Sequence, residues 1–388
     1  MSPSLPPLQA TIIGFGMAGR GLHGNLISLS SKIMLRSLLI PSYANKTQHY
    51  ESELASFCQK MQIPREAIAI YQSYAELLED RDAIDLIVVA TPNDSHLSYA
   101  KRAFQDGFNV VVDKPVANNL EEWHELSQLI KQRERETSGL KRLPLLSVFH
   151  NRRLDGDFLT VCQILEQQRL GTLMHMELSW QKSRPTKDWK RVPVEQGGGR
   201  FFDLGVHMLD QVLELLCRRM DYSVKSVYCD MKFDEYDSEI STICHLKFER
   251  AESEVPEHEV SRAKEVSVLI DTSTLPTIEK PRFLLVGTKG TYVKYGVDPQ
   301  EKCLFAGNIH SAIEPDELHG TLVTVDKQNP EKVATLNGKW LNYYDNIADA
   351  IRDESVRPIV EMKTMDPLMR IMDGAVRSAR SGKVVTEM

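Results

Sequence analysis

At 388 residues the chain has room for two domains, each with a sizeable core. Its 42% apolar and 26% charged composition is that of an ordinary globular protein, and a formal net charge of -7 argues against nucleic acid as the main partner, because phosphate binding needs clustered Lys and Arg. No apolar run approaches the ~20 residues that span a bilayer, so no membrane partner is expected.

The chain opens on MSPSLPPLQ, which lacks the basic region and apolar run of a secretory signal. A β-type run at 10–13 then ends at Gly14-Phe15-Gly16-Met17-Ala18-Gly19, a G-x-G-x-x-G turn before a helix-compatible stretch. In a dinucleotide fold Gly14 permits the tight turn, Gly16 lets the backbone approach a pyrophosphate, and Gly19 lets helix and strand pack closely. The anion would sit on the helix N-terminus, facing free N–H groups and the dipole.

Strand-like runs recur at 33–40, 67–71, 84–90, 109–112 and 145–149, with helical segments between them. IDLIVVA is continuously apolar after Asp85, as expected of a strand covered on both faces. Ser73 with Glu76 reads as a capping box for the helix through Leu77 and Leu78. This alternation predicts a doubly wound α/β domain that binds ligands at the carboxyl ends of its strands. After the second strand the chain reads LLIPSYANKTQ, with no acidic residue between Lys32 and Tyr50. A carboxylate there would take a ribose hydroxyl and repel a 2′-phosphate. Ser42, Tyr43, Asn45 and Lys46 suit a phosphate instead, so NADP(H) is favoured over NAD(H).

After the fourth strand comes Thr91-Pro92-Asn93-Asp94-Ser95-His96, a turn in which Asp94 or Ser95 would cap a helix over 96–104. After the fifth comes Asp113-Lys114-Pro115. Lys114 would bring a positive charge into the ligand crevice, near a carbonyl or alkoxide oxygen. A cis form of the Lys-Pro bond would fix its direction.

Past the crossover, 155–168 reads as a helix closed near Gly171, and 172–180 as a long alternating strand. A polar loop at 181–196 follows, holding Arg184, Lys187, Asp188, Trp189, Lys190 and Arg191. It reads equally as a wall of the site or as a solvated or subunit-contacting loop. It leads into GGGRFFDLGVHMLDQ, where Asp203, His207 and Asp210 stand at i, i+4 and i+7 on one face of an apolar helix. By itself this reads as a core histidine hydrogen-bonded to Asp203.

The ordered set GFGMAG, TPNDSH, DKP and GGGRFFDLGVHMLD resembles the glucose-fructose oxidoreductase / inositol dehydrogenase / rhizopine-catabolism family (Gfo/Idh/MocA), whose pattern is G-x-G-x-x-G, T-P-N-x-x-H, E-K-P and G-G-G-x-x-x-D-x-G-x-H-x-x-D. Val148-Phe149-His150-Asn151-Arg152-Arg153 is similar to a segment of its bacterial and fungal oxidoreductases. Asp113 replaces the family's glutamate, and the acidic residue after the second strand is missing. The resemblance implies a Rossmann domain over 1–150 and an α+β domain over 151–341 with a large open, mostly antiparallel sheet, often a dimer face. The C-terminal helices, 342–388, would pack back on the first domain. It implies hydride transfer with Lys114, Asp203 and His207 as the catalytic set. Asp210 is the less certain member and reads as structural. Thr91, Pro92, Asn93, His96, Asp113 and Lys114 would join Gly14–Gly19, Ser42 and Lys46 around the cofactor. Asn151, Arg152, Trp189 and Asp203 are candidate substrate contacts.

Histidine titrates near neutral pH, which suits His207 to acid–base work on an alcohol or carbonyl. Asp203 would orient its ring or hold a substrate hydroxyl. The substrate class is a small carbonyl compound or polyol, most plausibly a sugar derivative. Some relatives only sense the dinucleotide; the intact Lys114, Asp203 and His207 favour an enzyme. These three side chains should converge on one cavity.

Further strands are expected at 224–233, 241–248, 265–271, 282–286 and 290–297, with a charged loop insertion at 249–264. Helices follow at 344–352 and 362–381, the last stopped by Gly382. The six scattered cysteines form no C-x-x-C pair and read as reduced thiols of a cytoplasmic protein, with no metal ligands among them.

Overall fold

The computed structural model describes residues 5–137, 143–183, 191–250 and 264–387. Its first half alternates β1 (Leu8–Ile13), α1 (Asn25–Leu29), β2 (Ile33–Leu39), α2 (Thr47–Met61), β3 (Ala69–Tyr71), α3 (Tyr74–Glu79), β4 (Leu86–Val89), α4 (Asn93–Gln105), β5 (Asn109–Val112), α5 (Leu120–Thr137) and β6 (Leu146–Val148). The six strands form one sheet in the order β3-β2-β1-β4-β5-β6, all parallel. This is the doubly wound order whose switch point lies between β1 and β4. All four residues of β4 are buried, which is why IDLIVVA carries no polar alternation.

Local chemistry sets the helix starts. Ser73 Oγ accepts the Glu76 N–H at 3.2 Å, while Glu76 Oε2 accepts the N–H of Gln72 at 2.8 Å. The reciprocal bond therefore reaches one residue before the cap. The helix after the Thr91 turn starts at Asn93 rather than His96, directly behind Pro92. Asp94 then lies in its first turn, where its charge favours the dipole without capping it.

The second half runs α6 (Gly156–Glu166), β7 (Leu173–Gln181), α7 (Val206–Leu213), β8 (Tyr222–Phe233), β9 (Glu239–Arg250), β10 (Glu265–Ser273), β11 (Phe283–Gly287), β12 (Gly290–Lys294), α8 (Gln300–Phe305), β13 (Gly320–Thr324), β14 (Lys327–Val333), α9 (Leu341–Arg352) and α10 (Met365–Ser381). Helix α6 is shorter than 155–168. Gln168 itself takes a left-handed φ of 53° before Gly171 does so at 67°. Eight strands form the sheet β14-β13-β12-β11-β7-β10-β9-β8, with only β7 and β10 parallel among its pairs. Along β8 and β9 buried and exposed residues alternate, leaving Tyr228 and Ile243 on an open face. Strand β9 runs through Glu249 and Arg250; the rest of the charged insertion, 251–263, lies outside the described residues.

The C-terminal helices reach back to the first sheet. In α9, which starts three residues earlier than the periodicity suggests, the Tyr343 hydroxyl donates to the Val148 carbonyl at 2.8 Å, and the Tyr344 hydroxyl lies 2.6 Å from His23 Nδ1. In α10, Asp366 accepts the Trp123 indole N–H at 2.8 Å, while Ser378 Oγ accepts the Cys229 N–H of β8 at 2.9 Å. Gly382 closes α10 at φ 65°. Beyond it Val385 bridges Val227 of β8, with N–H···O distances of 2.9 Å in both directions. All six cysteines are free thiols. No helix among the described residues is long and apolar enough to cross a membrane.

Candidate active site

The glycine turn leaves β1 beside β4. Gly14 has φ 96°, and a Cβ there would lie 2.6 Å from the Ala90 carbonyl oxygen. A Cβ on Gly19 would run into the Gly14 carbonyl, so this glycine sets how closely the helix folds back on the turn. Gly16 differs: a Cβ there would have nothing within 4 Å. The space beside it is the cradle that a pyrophosphate would fill. The helix after the turn begins with a π-helical turn, Gly19–Gly24, before α1. Phe15 packs edge-on against Phe57 at 5.8 Å, whereas Met17 is 57% exposed. The turn therefore presents backbone, with Ala18 at the head of the helix, and the Phe15 ring belongs to the core.

At the end of β2 the Ser42 and Tyr50 hydroxyls lie 2.7 Å apart, and Lys46 is exposed just before α2. The first carboxylate beyond, Glu51, accepts bonds from Arg65 at 2.7 and 3.2 Å and from the Tyr43 hydroxyl. These bonds from Arg65 and Tyr43 hold its carboxyl below the usual range.

The corners after β4 and β5 are locked together. His96 is buried, with its ring nitrogens 2.8 Å from the Pro115 carbonyl and 2.9 Å from that of Thr91. It ties the Thr91–Asn93 turn to the Lys114 corner rather than facing open space. The Lys114–Pro115 peptide is cis. Asp113 accepts the Lys114 N–H at 2.8 Å and lies 3.6 Å from His23 Nε2. Burial pushes its carboxyl up, but His23 and the Lys114 charge outweigh that and hold it at about 2. Asp113 is thus a fixed anion beneath Lys114.

Across the crevice a helical run carries the remaining members. It is not one regular helix: π-helical turns at Phe201–Gly205 and Glu214–Arg219 flank α7. Lys114 Nζ donates to the Asp203 carbonyl at 2.7 Å and to its carboxylate at 3.3 Å, joining residues 89 positions apart. Arg200 approaches the other Asp203 oxygen at 3.5 Å.

His207 is 6% exposed, and its Nδ1 is buried without a hydrogen-bond partner. That nitrogen makes no bond to Asp203, because the π-turn widens the spiral between the two and spoils the regular i, i+4 spacing. Burial first, then the charges of Lys114 and Arg152, hold the imidazole well below the usual histidine range.

Asp210, one turn beyond His207 on α7, has a different partner. It pairs with buried Arg153 at 2.6 and 2.9 Å and lies 3.8 Å from His150. Arg152 is buried over Trp180 and Trp340 and forms ion pairs with Asp155 and Glu301. Asn151 is buried at the head of the same short turn. Trp189, with Arg184, Lys187, Asp188 and Lys190, lies outside the described residues. Arg191 sits near Asp234 and Glu235.

A cleft of about 230 Å³ opens where the two halves meet, lined by the Pro92–Asp94 turn, Asn118, the Gly197–Gly199 loop and Asp203. Lys114 meets Asp203 at its edge, but neither Lys114 nor His207 lines it. Three neighbours went unread in the sequence. His150 stands edge-on to His207 with ring centres 6.3 Å apart, and Trp180 lies 6.1 Å away on the strand β7. Asn118, four residues after Lys114, lines the cleft. Only His150 had a signal, inside Val148–Arg153.

A family model described as "Oxidoreductase family, NAD-binding Rossmann fold" matches residues 8–138, and the model of the GFO/IDH/MocA C-terminal domain matches residues 158–293. The uncharacterized oxidoreductase YdgJ of Escherichia coli (strain K12) is 28% identical over 378 residues, 96% of each chain. The Bacillus subtilis (strain 168) protein named scyllo-inositol 2-dehydrogenase (NADP(+)) IolW is 25% identical over 386 residues, 97% of this chain and 95% of its own. The solved structure of yvaA from Bacillus subtilis superposes with a TM-score of 0.80 at 22% identity, covering 100% of both chains, and supports the fold.

Proposed function

The chain belongs to the Gfo/Idh/MocA oxidoreductase family, with an NAD-binding Rossmann fold at its N-terminal end, and from that premise we propose that it is an NAD(P)-dependent dehydrogenase or reductase acting on an alcohol or carbonyl carbon of a small polar substrate, a sugar or polyol derivative. The observation that carries the reading is the contact of Lys114 Nζ with Asp203 at the edge of the cleft, with a buried His207 near enough for the Lys114 charge to lower its basicity. NADP(H) is the favoured cofactor. Ser42 and Lys46 follow β2 with no carboxylate among them, Glu51 is engaged by Arg65, and IolW carries NADP(+) in its name. Self-association through the open face around Tyr228 and Ile243 belongs to the same proposal.

The Gly14–Gly19 turn would hold the dinucleotide, which when bound would supply the hydride acceptor or donor. Every other task falls to the chain. His207, uncharged near neutral pH, takes the proton of a substrate hydroxyl as the alcohol is oxidised. Lys114 stabilises the negative charge that develops on that oxygen, and its ammonium is aimed by the Asp203 carbonyl. The second Asp203 carboxylate oxygen, which Arg200 approaches at 3.5 Å, would also accept from a neighbouring substrate hydroxyl. Asp113 keeps a compensating charge behind Lys114.

The test is a pair of variants. His207→Ala and Lys114→Ala should each slow turnover by roughly a hundredfold or more. NADPH affinity, read by fluorescence quenching, should stay within a few-fold, and NADPH should bind more tightly than NADH. Near wild-type turnover in either purified variant removes the catalytic assignment. Quenching by NADPH with no turnover of any aldose, ketose or inositol is the result expected of a sensor.

A further inference from the structure

The helical run that carries Asp203 and His207 begins at a carboxylate from another element. Arg200 heads the run and offers no side-chain cap. The first helical N–H groups are orphans that need an acceptor. Glu239, the first residue of β9, is fully buried and supplies it: Oε2 accepts the Phe201 N–H at 2.8 Å, and the Arg200 N–H bonds to the same side chain. The other oxygen, Oε1, accepts the Thr242 hydroxyl at 2.7 Å. Gly199 makes room for this approach. Its φ is 90°, and a Cβ there would stand 2.6 Å from the Glu239 carbonyl and 2.7 Å from Oε2.

Two residues beyond Phe201 the same π-turn presents Asp203, whose carbonyl and carboxylate take Lys114 Nζ. The path from β9 to Lys114 is therefore short: carboxylate, helix start, Asp203, ammonium.

We propose that Glu239 is a positioning residue, which pins the start of the helical run from β9 so that Asp203 holds Lys114 at the mouth of the crevice. The inference rests on the assignment of Lys114 and Asp203 as site residues. Glu239 touches no reacting atom. Its task needs an acceptor oxygen at Phe201 more than it needs a charge. Glutamine, which keeps that oxygen and can donate to the Thr242 hydroxyl, should replace it; alanine should not.

The experiment compares wild type, Glu239→Ala, Glu239→Gln and Thr242→Val in the full chain by three readouts. The first is amide hydrogen exchange over 199–207. The second is the rate at which acetic anhydride labels Lys114. The third is turnover, with kcat and KM separated. In Glu239→Ala, exchange over 199–207 should rise while β10 and β11 stay protected, Lys114 labelling should rise at least threefold, and kcat should fall at least tenfold with the KM for NADPH within twofold. Glu239→Gln should restore all three readouts. Should Glu239→Ala fail to fold, Thr242→Val carries the test, with a smaller rise in Lys114 labelling expected. Unchanged exchange and labelling, or exchange that rises equally through the whole eight-stranded sheet, overturns the inference. If wild type turns over no substrate, the proposed function fails by itself, and exchange and labelling still decide the role of Glu239.

Discussion

Gly16 separates what a glycine does for the fold from what it does for a ligand. A side chain there meets no protein atom, in contrast to Gly14 and Gly19. Gly16→Ala should therefore leave the thermal midpoint within a degree or two. It should still weaken NADPH binding at least tenfold, because its methyl occupies the space the pyrophosphate would enter. Quenching titration beside a melting curve reads both; unchanged affinity would place the dinucleotide elsewhere. His207 gives the second residue-scale expectation. Its depressed basicity keeps it uncharged down to pH values well below the usual histidine range. In the oxidative direction the uncharged form is the active one. The acidic limb of kcat/KM should thus lie below 6.5, and raising the pH through 6.5 should gain little.

The helical run 201–219 shows where sequence reasoning about elements reaches its limit. Motif order brings Lys114 and Asp203 together, and they do touch. The i, i+4, i+7 spacing places Asp203, His207 and Asp210 on one face, yet in the structure they serve three different neighbours. A 3.6-residue period does not anticipate the π-turn at Phe201–Gly205, which stands between Asp203 and the regular helix that carries His207 and Asp210. Nor does spacing reveal that Asp210 is claimed by Arg153, 57 positions upstream. That pair, with Glu214 at 3.0 Å from the same guanidinium, is buried. Removing the cation strands the buried Asp210 carboxylate, while Glu214 keeps Arg218 at 2.8 Å. Arg153→Met, which keeps the side chain's bulk, should cost about 3–5 kcal/mol in urea unfolding. A loss below 1 kcal/mol would show that water or another cation replaces it.

The whole molecule was most legible where burial writes a pattern. A buried apolar run marked β4 and alternation marked β7, while the other strands of both sheets up to β12 showed as β-type runs between turns. Strands β13 and β14 left no such trace, because GTLVT is short and KQNPEKV is polar with a proline, as an outermost strand can be. Acid stability is also a property of the whole. Burial, its largest cause, pushes His150 down to about 4, so between pH 6.5 and 4 the unfolded chain binds a proton that the folded one refuses, and about 3 kcal/mol of stability is lost as the pH falls. Glu239, pushed up to about 7 by burial, slopes the other way. His150→Gln is therefore the proper comparison: its unfolding midpoint should drop less than that of wild type over this range, and equal drops would mean His150 is charged in the fold.

An open sheet has two flanks, and β8 is one of them. The Val385 bridge to Val227 gives that flank a short stretch of the chain's own backbone to pair with. Strand-by-strand growth into fibres or swapped dimers is obstructed there. The short backbone segment after α10 thus acts as a guard on that edge of the sheet, while β14 forms its other flank.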